Sequence, residues 1–456
     1  MKIIIIGDGK VGYHLAENLS KENSDVVIID KNSDALKKAS EHLDVMCIKG
    51  SGVSTKILLE AGIREADVLI AATSSDEMNM VCCLTAKKMG AKHTIARIRD
   101  PEYADELSQL KADLDLDMII NPEQAVALEI ARLIKFPPAV NVEIFAKGLV
   151  EIVEIKATRD MSIVGMPLRK IPSRISSSIL IGAVSRGGEV IIPRGDFTIQ
   201  ADDMLYIVGR PSKVFDFCTH IGIHVQKIRD VLVVGGGRVA YYLTNYLDEL
   251  RIKVKIIENN EQRCVDLAEL LPHALVIHGD GTDGATLLSE NLGEMGAFIS
   301  LTGHDEDNLI SALYAKRAGV NKVIAKIGRM NDLNIISDMG IDNFVSPKQI
   351  TANYILRYVR GLQNALGDPV TTLYRIIDGK AEAMEFVAGK HTHFLNKPLK
   401  VLDIAEGVLV AAIVRRNEII IPHGEDVVRE GDSVILITTN KRVLDLNDIV
   451  ESRGER

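Results

Sequence analysis

The sequence predicts an α/β protein built twice over: two Rossmann-like doubly wound parallel sheets, each followed by a small α+β lobe. Three observations predict it. An apolar run, Ile3 to Ile6, enters Gly7-Asp8-Gly9-Lys10-Val11-Gly12, and the next apolar run ends on the acid Asp30. The same arrangement returns between Val231 and Glu258. Each copy is then trailed by an Ile-Pro-x-Gly turn and an Asp that precedes a strand.

The first stretch reads as a buried strand, a tight turn and a helix. The second glycine of the turn lets the backbone approach a pyrophosphate, while the helix points its amides and positive dipole end at the anion. Asp30 closes the second strand, where a carboxylate accepts from ribose hydroxyls. Further strands are expected near Val45 to Lys49, Asp67 to Ala72, His93 to Arg97 and Met118 to Ile120, with helices such as Asp76 to Met89, Pro101 to Leu110 and Glu123 to Leu133 between them. Right-handed crossovers place the ligand crevice outside the strand C-termini, where strand order reverses. Thr73 then lies beside the Gly7 turn, with Ser51 and Arg97 at the same edge.

At 456 residues the length alone suggests roughly three domains. The internal repeat refines this. Gly7 to Asp30 and Gly235 to Glu258 each span 23 positions. Thr73-Ser74-Ser75-Asp76 with Asn79 matches Thr302-Gly303-His304-Asp305 with Asn308, and Ala96-Arg97 matches Ala325-Lys326. Pro193 to Pro422 and Asp203 to Asp432 share one offset of 229, so the whole half is duplicated. Pro137-Pro138 ends the first regular pattern. The expected divisions are 1–139 and 225–363 for the large lobes, and 140–224 and 364–456 for the small ones. The small lobes carry hairpins turning at Arg186-Gly187-Gly188 and at Arg416-Asn417, and the first ends in a short helix near Ser212 to Cys218.

Composition narrows the function. Trp is absent and the formal charge is -9, which disfavours a base-stacking platform or a nucleic-acid partner held on a basic face. A redox-sensing DNA-binding repressor is disfavoured for the same reason. Five scattered cysteines without CxxC spacing fit neither a disulfide framework nor a zinc site. No apolar run approaches the about 18 residues of a spanning helix, and the N-terminal Ile run is too short for a signal peptide. A soluble cytosolic protein that docks on a membrane component is expected.

The first candidate nucleotide site comprises the Gly7 to Gly12 turn, Asp30, Ser51, Thr73 and Ser74, with Arg97 as a fixed cation for a phosphate. Thr73 and Ser74 read equally as caps of the following helix, and the alternative to Arg97 as a phosphate cation is a solvated strand end. An acid at position 30 favours NAD over NADP but does not separate NAD or NADH from ATP or ADP. The second candidate site comprises Gly235, Gly236, Gly237, Arg238, Val239, Glu258, Asp280, Thr302 and Lys326, with Ala240 in place of the third glycine. Neither catalytic nor metal-binding residues are assigned. Hydride transfer needs a positioned acid or base in a substrate domain, and none of the eleven histidines has such a setting. An NAD-dependent dehydrogenase stands as the alternative reading, which nucleotide turnover would distinguish.

Four segments, GDGKVG with Asp30, Ala72 to Lys88, Ile95 to Asp105 and Ile192 to Gly209, resemble the RCK (KTN) family, nucleotide-binding regulators of potassium channels and transporters. Two N-lobe plus C-lobe copies in one chain resemble the regulatory subunits of Trk-type bacterial potassium uptake. The resemblance implies binding of NAD or NADH, or of ATP or ADP, at Gly7 to Val11, Asp30, Ser51, Thr73, Ser74 and Arg97, and at Gly235 to Val239, Glu258, Asp280, Thr302 and Lys326. It further implies a homo-oligomeric ring of RCK units beneath a membrane-embedded transporter subunit, peripheral on the inner face of the membrane. The apolar hairpins at Ile179 to Ile192 and Val408 to Ile421 permit a second small ligand such as cyclic di-AMP, without requiring it.

Overall fold

A computed structural model describes the chain apart from residues 23, 104–106, 173–177, 224, 329–340, 342, 364–369, 377–379, 441–442 and 451–456. Two compact units form. One takes Met1–Ile134 with Ile228–Leu356, the other Lys135–Lys227 with Arg357–Arg456. Each unit therefore holds one contribution from each copy of the repeat.

The first large lobe has strands β1 (Lys2–Ile6), β2 (Asp25–Asp30), β3 (Met46–Lys49), β4 (Val68–Ala71), β5 (His93–Arg97) and β6 (Met118–Ile120). They run parallel in the order β3-β2-β1-β4-β5-β6, reversing between β1 and β4. Ile3 to Ile6 are all buried because helices cover both faces of the sheet, each such side chain contributing about 1.5–3 kcal/mol over an exposed one. The helices are α1 (Lys10–Ser20), α2 (Ser33–His42), α3 (Thr55–Glu60), α4 (Asp76–Met89), α5 (Leu107–Asp113) and α6 (Pro122–Lys135). The helix expected from Pro101 to Leu110 is instead a 3-10 turn at Pro101–Tyr103 followed by α5, and residues 104–106 lie outside the described residues.

The first small lobe is an antiparallel sheet ordered β10-β9-β11-β8-β7, from β7 (Asn141–Phe145), β8 (Val150–Lys156), β9 (Ile179–Arg186), β10 (Glu189–Ile191) and β11 (Met204–Gly209), closed by α7 (Pro211–His220). Asp203, the acid that marks the repeat, is 1% exposed and receives both Nε and Nη2 of Arg186 at 2.7 and 2.8 Å. The bidentate pair ties the hairpin to the strand it precedes. Asp432 and Arg415 repeat it at 2.9 and 2.7 Å.

The second copy follows suit. Strands β12 (Asp230–Val234), β13 (Lys253–Glu258), β14 (Leu275–His278), β15 (Ala297–Ser300), β16 (Lys322–Lys326) and β17 (Asn343–Val345) form a parallel sheet ordered β14-β13-β12-β15-β16-β17. Its helices are α8 (Arg238–Glu249), α9 (Glu261–Leu270), α10 (Gly284–Ser289), α11 (Asp305–Arg317) and α12 (Pro347–Gln363). The last sheet, ordered β18-β19-β22-β20-β21, uses β18 (Val370–Ile376), β19 (Ala381–Val387), β20 (Val408–Arg415), β21 (Glu418–Ile420) and β22 (Ser433–Thr438).

Within the first unit the large lobes meet through Asn121, whose Nδ2 donates to Tyr242 Oη at 3.0 Å, while that hydroxyl donates to Arg99 O at 3.1 Å. Within the second, Phe145, Ile152 and Tyr206 share one apolar cluster with Ala383, Ile435 and Ile437 of the other copy. Among the described residues, no helix is long and apolar enough to cross a membrane.

Candidate functional site

The first glycine loop is shaped by steric necessity at two of its positions. Gly7 adopts φ +101°, and a Cβ there would stand 3.0 Å from Ala72 O and Thr73 N. Only glycine combines that backbone with so close a neighbour. At Gly12 a Cβ would come to 1.8 Å from Gly7 O, so α1 packs directly under the turn. Gly9, the N-cap of α1, has no side-chain cap and open space where its Cβ would be. The free amides of the first helical turn therefore face the crevice, as an anion requires.

Asp30 holds this loop in place. Its Oδ2 accepts from Asp8 N at 2.6 Å and its Oδ1 from Asn32 N at 2.7 Å. A carboxylate offers about four lone-pair sites, so two remain for ligand hydroxyls. Asp8 itself is 7% exposed, and neither of its oxygens has a hydrogen-bond partner. Burial, then the charge of Asp30, push its pKa up to about 6, with Lys38 opposing.

Thr73 sits against the turn as the strand order predicts. Its N–H and Oγ1 both donate to Asn79 Oδ1, at 2.8 and 2.7 Å, and Asn79 Nδ2 donates to Arg97 O at 2.8 Å. Asn79 thereby ties the ends of β4 and β5 together. The cap of α4 is neither Thr73 nor Ser74 but Ser75, whose Oγ accepts from Met78 N at 3.1 Å. Arg97 is not a solvated strand end. Its side chain is 15% exposed, its Nη2 lies 3.7 Å from Glu123 Oε1, and its Nε has no partner. Arg99, beside it, is fixed by Asp76, whose Oδ2 accepts from Arg99 N and Asp100 N at 2.7 and 2.8 Å.

These groups enclose a cavity of about 700 Å³. Gly7, Gly9, Lys10, Val11, Asp30, Ser51, Thr73, Ser74 and Arg97 line it, so nine of the residues expected at the first site converge. Asp8 and Gly12 lie beneath the loop instead. One wall comes from the second large lobe, through Asp305, Lys326 and Lys348 among others. Lys326 donates to Leu301 O at 3.0 Å and faces this cavity, although its place in the repeat assigned it to the second crevice. The two strand ends carrying Arg97 and Lys326 belong to lobes packed against each other, which brings both cations to one cavity.

The second loop copies the first in outline. Gly235 has φ +94° with a Cβ position 3.0 Å from Thr302 N, and Glu258 accepts from Gly236 N at 2.7 Å and Asn260 N at 2.8 Å. Thr302 N donates to Asn308 Oδ1 at 2.7 Å. Ala240, in place of the third glycine, is fully buried. The side chains differ more than the backbone. Arg238 Nη2 pairs with Asp100 at 3.0 Å, Asp280 turns to its own loop by accepting from Thr282 N and Oγ1, and Val239 is buried.

The TrkA-N domain profile matches residues 3–122 and again 231–347, and the TrkA-C domain profile matches 152–222 and 383–450. The chain belongs to the TrkA family. A Trk system potassium uptake protein TrkA homolog from Methanosarcina mazei is 38% identical over 446 residues, covering 96% of this chain and 97% of that one. The Trk system potassium uptake protein TrkA of Haemophilus influenzae is 35% identical over 451 residues, covering 97% and 96%. These TrkA relatives are named for potassium uptake and not for a catalysed reaction.

Among solved structures, the GsuK RCK domain superposes with a TM-score of 0.64 at 18% identity, covering 96% of this chain and 92% of that one. The GsuK channel bound to NAD gives 0.64 at 18%, covering 96% and 77%. GsuK bound to ADP gives 0.50 at 15%, covering 78% and 67%. At these identities the chain shares their fold: tandem RCK repeats with parallel Rossmann-like sheets.

Several residues lining the cavity lie outside the set that sequence pattern predicts. Lys31 follows Asp30 directly, and Gly52 was signalled by its repeat in Gly281, since a Cβ at either would press into Ile6 or Val234 at 2.3 Å. Arg99 stands two residues past Arg97. Lys348 had no local signal, because it reaches this cavity only through the pairing of the large lobes.

Proposed function

We propose that this chain is a nucleotide-binding regulatory subunit that gates a membrane-embedded Trk-type potassium transporter. One observation carries the reading: the cavity in which the amide-rich turn at Gly7 to Val11, Asp30 and the polar edge of Ser51, Thr73 and Ser74 converge. The turn takes the phosphates, Asp30 a ribose, and Arg97 adds positive charge near the phosphates. Gly235 to Val239, Glu258, Asp280 and Thr302 form the second site, with Lys326 at the edge between the two.

The names of the relatives supply the transport context, and the NAD and ADP of the GsuK structures supply the ligand class, NAD(H) or ATP/ADP. In this reading the large lobes are 1–139 and 225–363, the small lobes 140–224 and 364–456, and copies of the chain assemble into a ring on the inner face of the membrane. A nucleotide shifts such a ring between shapes only by as much as it binds one better than the other. A cavity walled by both large lobes is where such a difference arises, since a change in their spacing alters the contacts of a bound nucleotide.

The test is a titration of NAD, NADH, ATP and ADP into the purified chain, with Asp30→Ala and Glu258→Ala alongside and turnover monitored. Saturable binding without turnover, weakened by Asp30→Ala, is expected. Absence of binding by all four nucleotides, or their chemical conversion, would overturn the proposal.

A further inference from the structure

The last helix of each large lobe starts over the phosphate-loop helix of the other lobe. α6 opens Asn121-Pro122-Glu123-Gln124, and its Asn121 hydrogen-bonds Tyr242 on α8, with Gln124 beside Tyr246. α12 opens Ser346-Pro347-Lys348-Gln349, and Gln349 lies beside His14 on α1. Arg97 pairs with Ile120 and Lys326 with Val345 in their sheets, so Glu123 and Lys348, each three residues beyond, hold equivalent positions. The pseudo-symmetric packing thus sets opposite charges over the two loops.

The surroundings differ accordingly. Glu123 is engaged by Arg97 at 3.7 Å, and the first residue of α8, Arg238, is neutralised by Asp100. Lys348 lines the first cavity, together with Lys326 and Lys10. Burial, and next the Lys348 ammonium, hold the imidazole of His14 below its usual range, which places that positive charge close to α1. An internal diphosphate is served by the loop amides with Arg97 nearby. Additional lysines beyond the loop serve a phosphate that projects past it.

We propose that Lys348, carried by the second large lobe, is the specificity-determining residue of the first lobe's site and selects nucleotides ending in a free phosphate, nucleoside di- and triphosphates. The inner phosphates rest on the Gly7 to Val11 amides, and Lys348 with Lys326 closes on the terminal one. The assignment rests on the nucleotide reading given above.

ATP, ADP, AMP and NAD are titrated calorimetrically, without magnesium, into the full-length wild type, Lys348→Gln and Lys348→Glu, with thermal melting of each unliganded variant. Binding that survives in Asp30→Ala is assigned to the second site and subtracted. The expected result is a loss of about tenfold or more in ATP and ADP affinity for Lys348→Glu and a smaller loss for Lys348→Gln, with AMP and NAD changed by less than about twofold. Lys348→Gln carries the test should charge reversal unfold the chain. Unchanged ATP affinity in both variants while Asp30→Ala still weakens it, or an equal loss for ATP and NAD, would overturn the role of Lys348 and leave the nucleotide site standing. Failure of the wild type to bind any of the four would overturn both.

Discussion

The backbone N–H of Asp8 donates to Asp30 Oδ2 at 2.6 Å, so the acid that closes β2 also pins the turn that follows β1. One carboxylate thereby shapes the phosphate loop and offers its remaining lone pairs to a ligand. Asp30→Asn should retain one of the two backbone hydrogen bonds and lose the other, costing about 1–2 kcal/mol in chemical denaturation. A variant as stable as wild type would remove the loop-anchoring role.

The side chain of Asp8 predicts a pH dependence. Its folded pKa is raised from 3.8 to about 6, so the folded chain holds this proton more tightly than the unfolded chain does. The associated stability is complete below the lower value and lost as pH rises through the upper one, amounting to at most about 3 kcal/mol. The second loop has Gly236 here, where a Cβ would come to 2.3 Å from the Leu267 side chain. Asp8→Gly should flatten the wild-type decline in denaturation free energy across that interval; an unchanged slope would refute the assignment.

Gly9 and Gly12 separate binding from folding. A Cβ at Gly9 meets nothing within 4 Å, and its φ of -77° suits any residue, so Gly9→Ala should melt like wild type while binding nucleotide more weakly. Gly12→Ala drives a methyl group into Gly7 O and should lose about 1–3 kcal/mol as well as binding. Equal melting temperatures for the two variants would contradict this division.

Ser75→Ala removes the acceptor of the Met78 amide and should destabilise the chain by about 1 kcal/mol. Ser74→Ala, at an exposed position without a capping role, should melt as wild type does. A larger loss from Ser74 than from Ser75 would put the cap in the wrong place.

In the small lobe, Arg186→Ala strands the buried carboxylate of Asp203. Because the arginine is one-third exposed, water can reach part of the gap, and a loss of about 2–3 kcal/mol is expected in denaturation of the full chain. An effect within the range of ordinary surface substitutions would show the pair to be dispensable.

Much of this architecture is written in local pattern. Ile3 to Ile6 and Val231 to Val234 are short apolar runs followed by glycine turns, and such runs mark strands covered on both sides. The offset of 229 carried the assignment from one half to the other, and the strand order then brought Thr73 to the Gly7 turn. Local pattern is silent on which copy packs against which. For that reason the sequence does not announce Lys348, assigns Lys326 to the other crevice, and leaves two readings of Arg97, a cation for a phosphate and a solvated strand end, where Glu123 partly shields it. The choice of Ser75 over its neighbours as cap turns on a single backbone dihedral pattern, which Thr73-Ser74-Ser75 does not announce.

Each compact unit draws one segment from each repeat, and that arrangement bears on ancestry. A polypeptide carrying a single repeat would have its Asn121 and its Glu154 without the Tyr242 and Tyr374 hydroxyls they meet here. Pairing with a twin would restore both partners to such a half-length molecule. Gene fusion would then have made a permanent couple of the twins, freeing one member to exchange a glutamate for a lysine without altering the other.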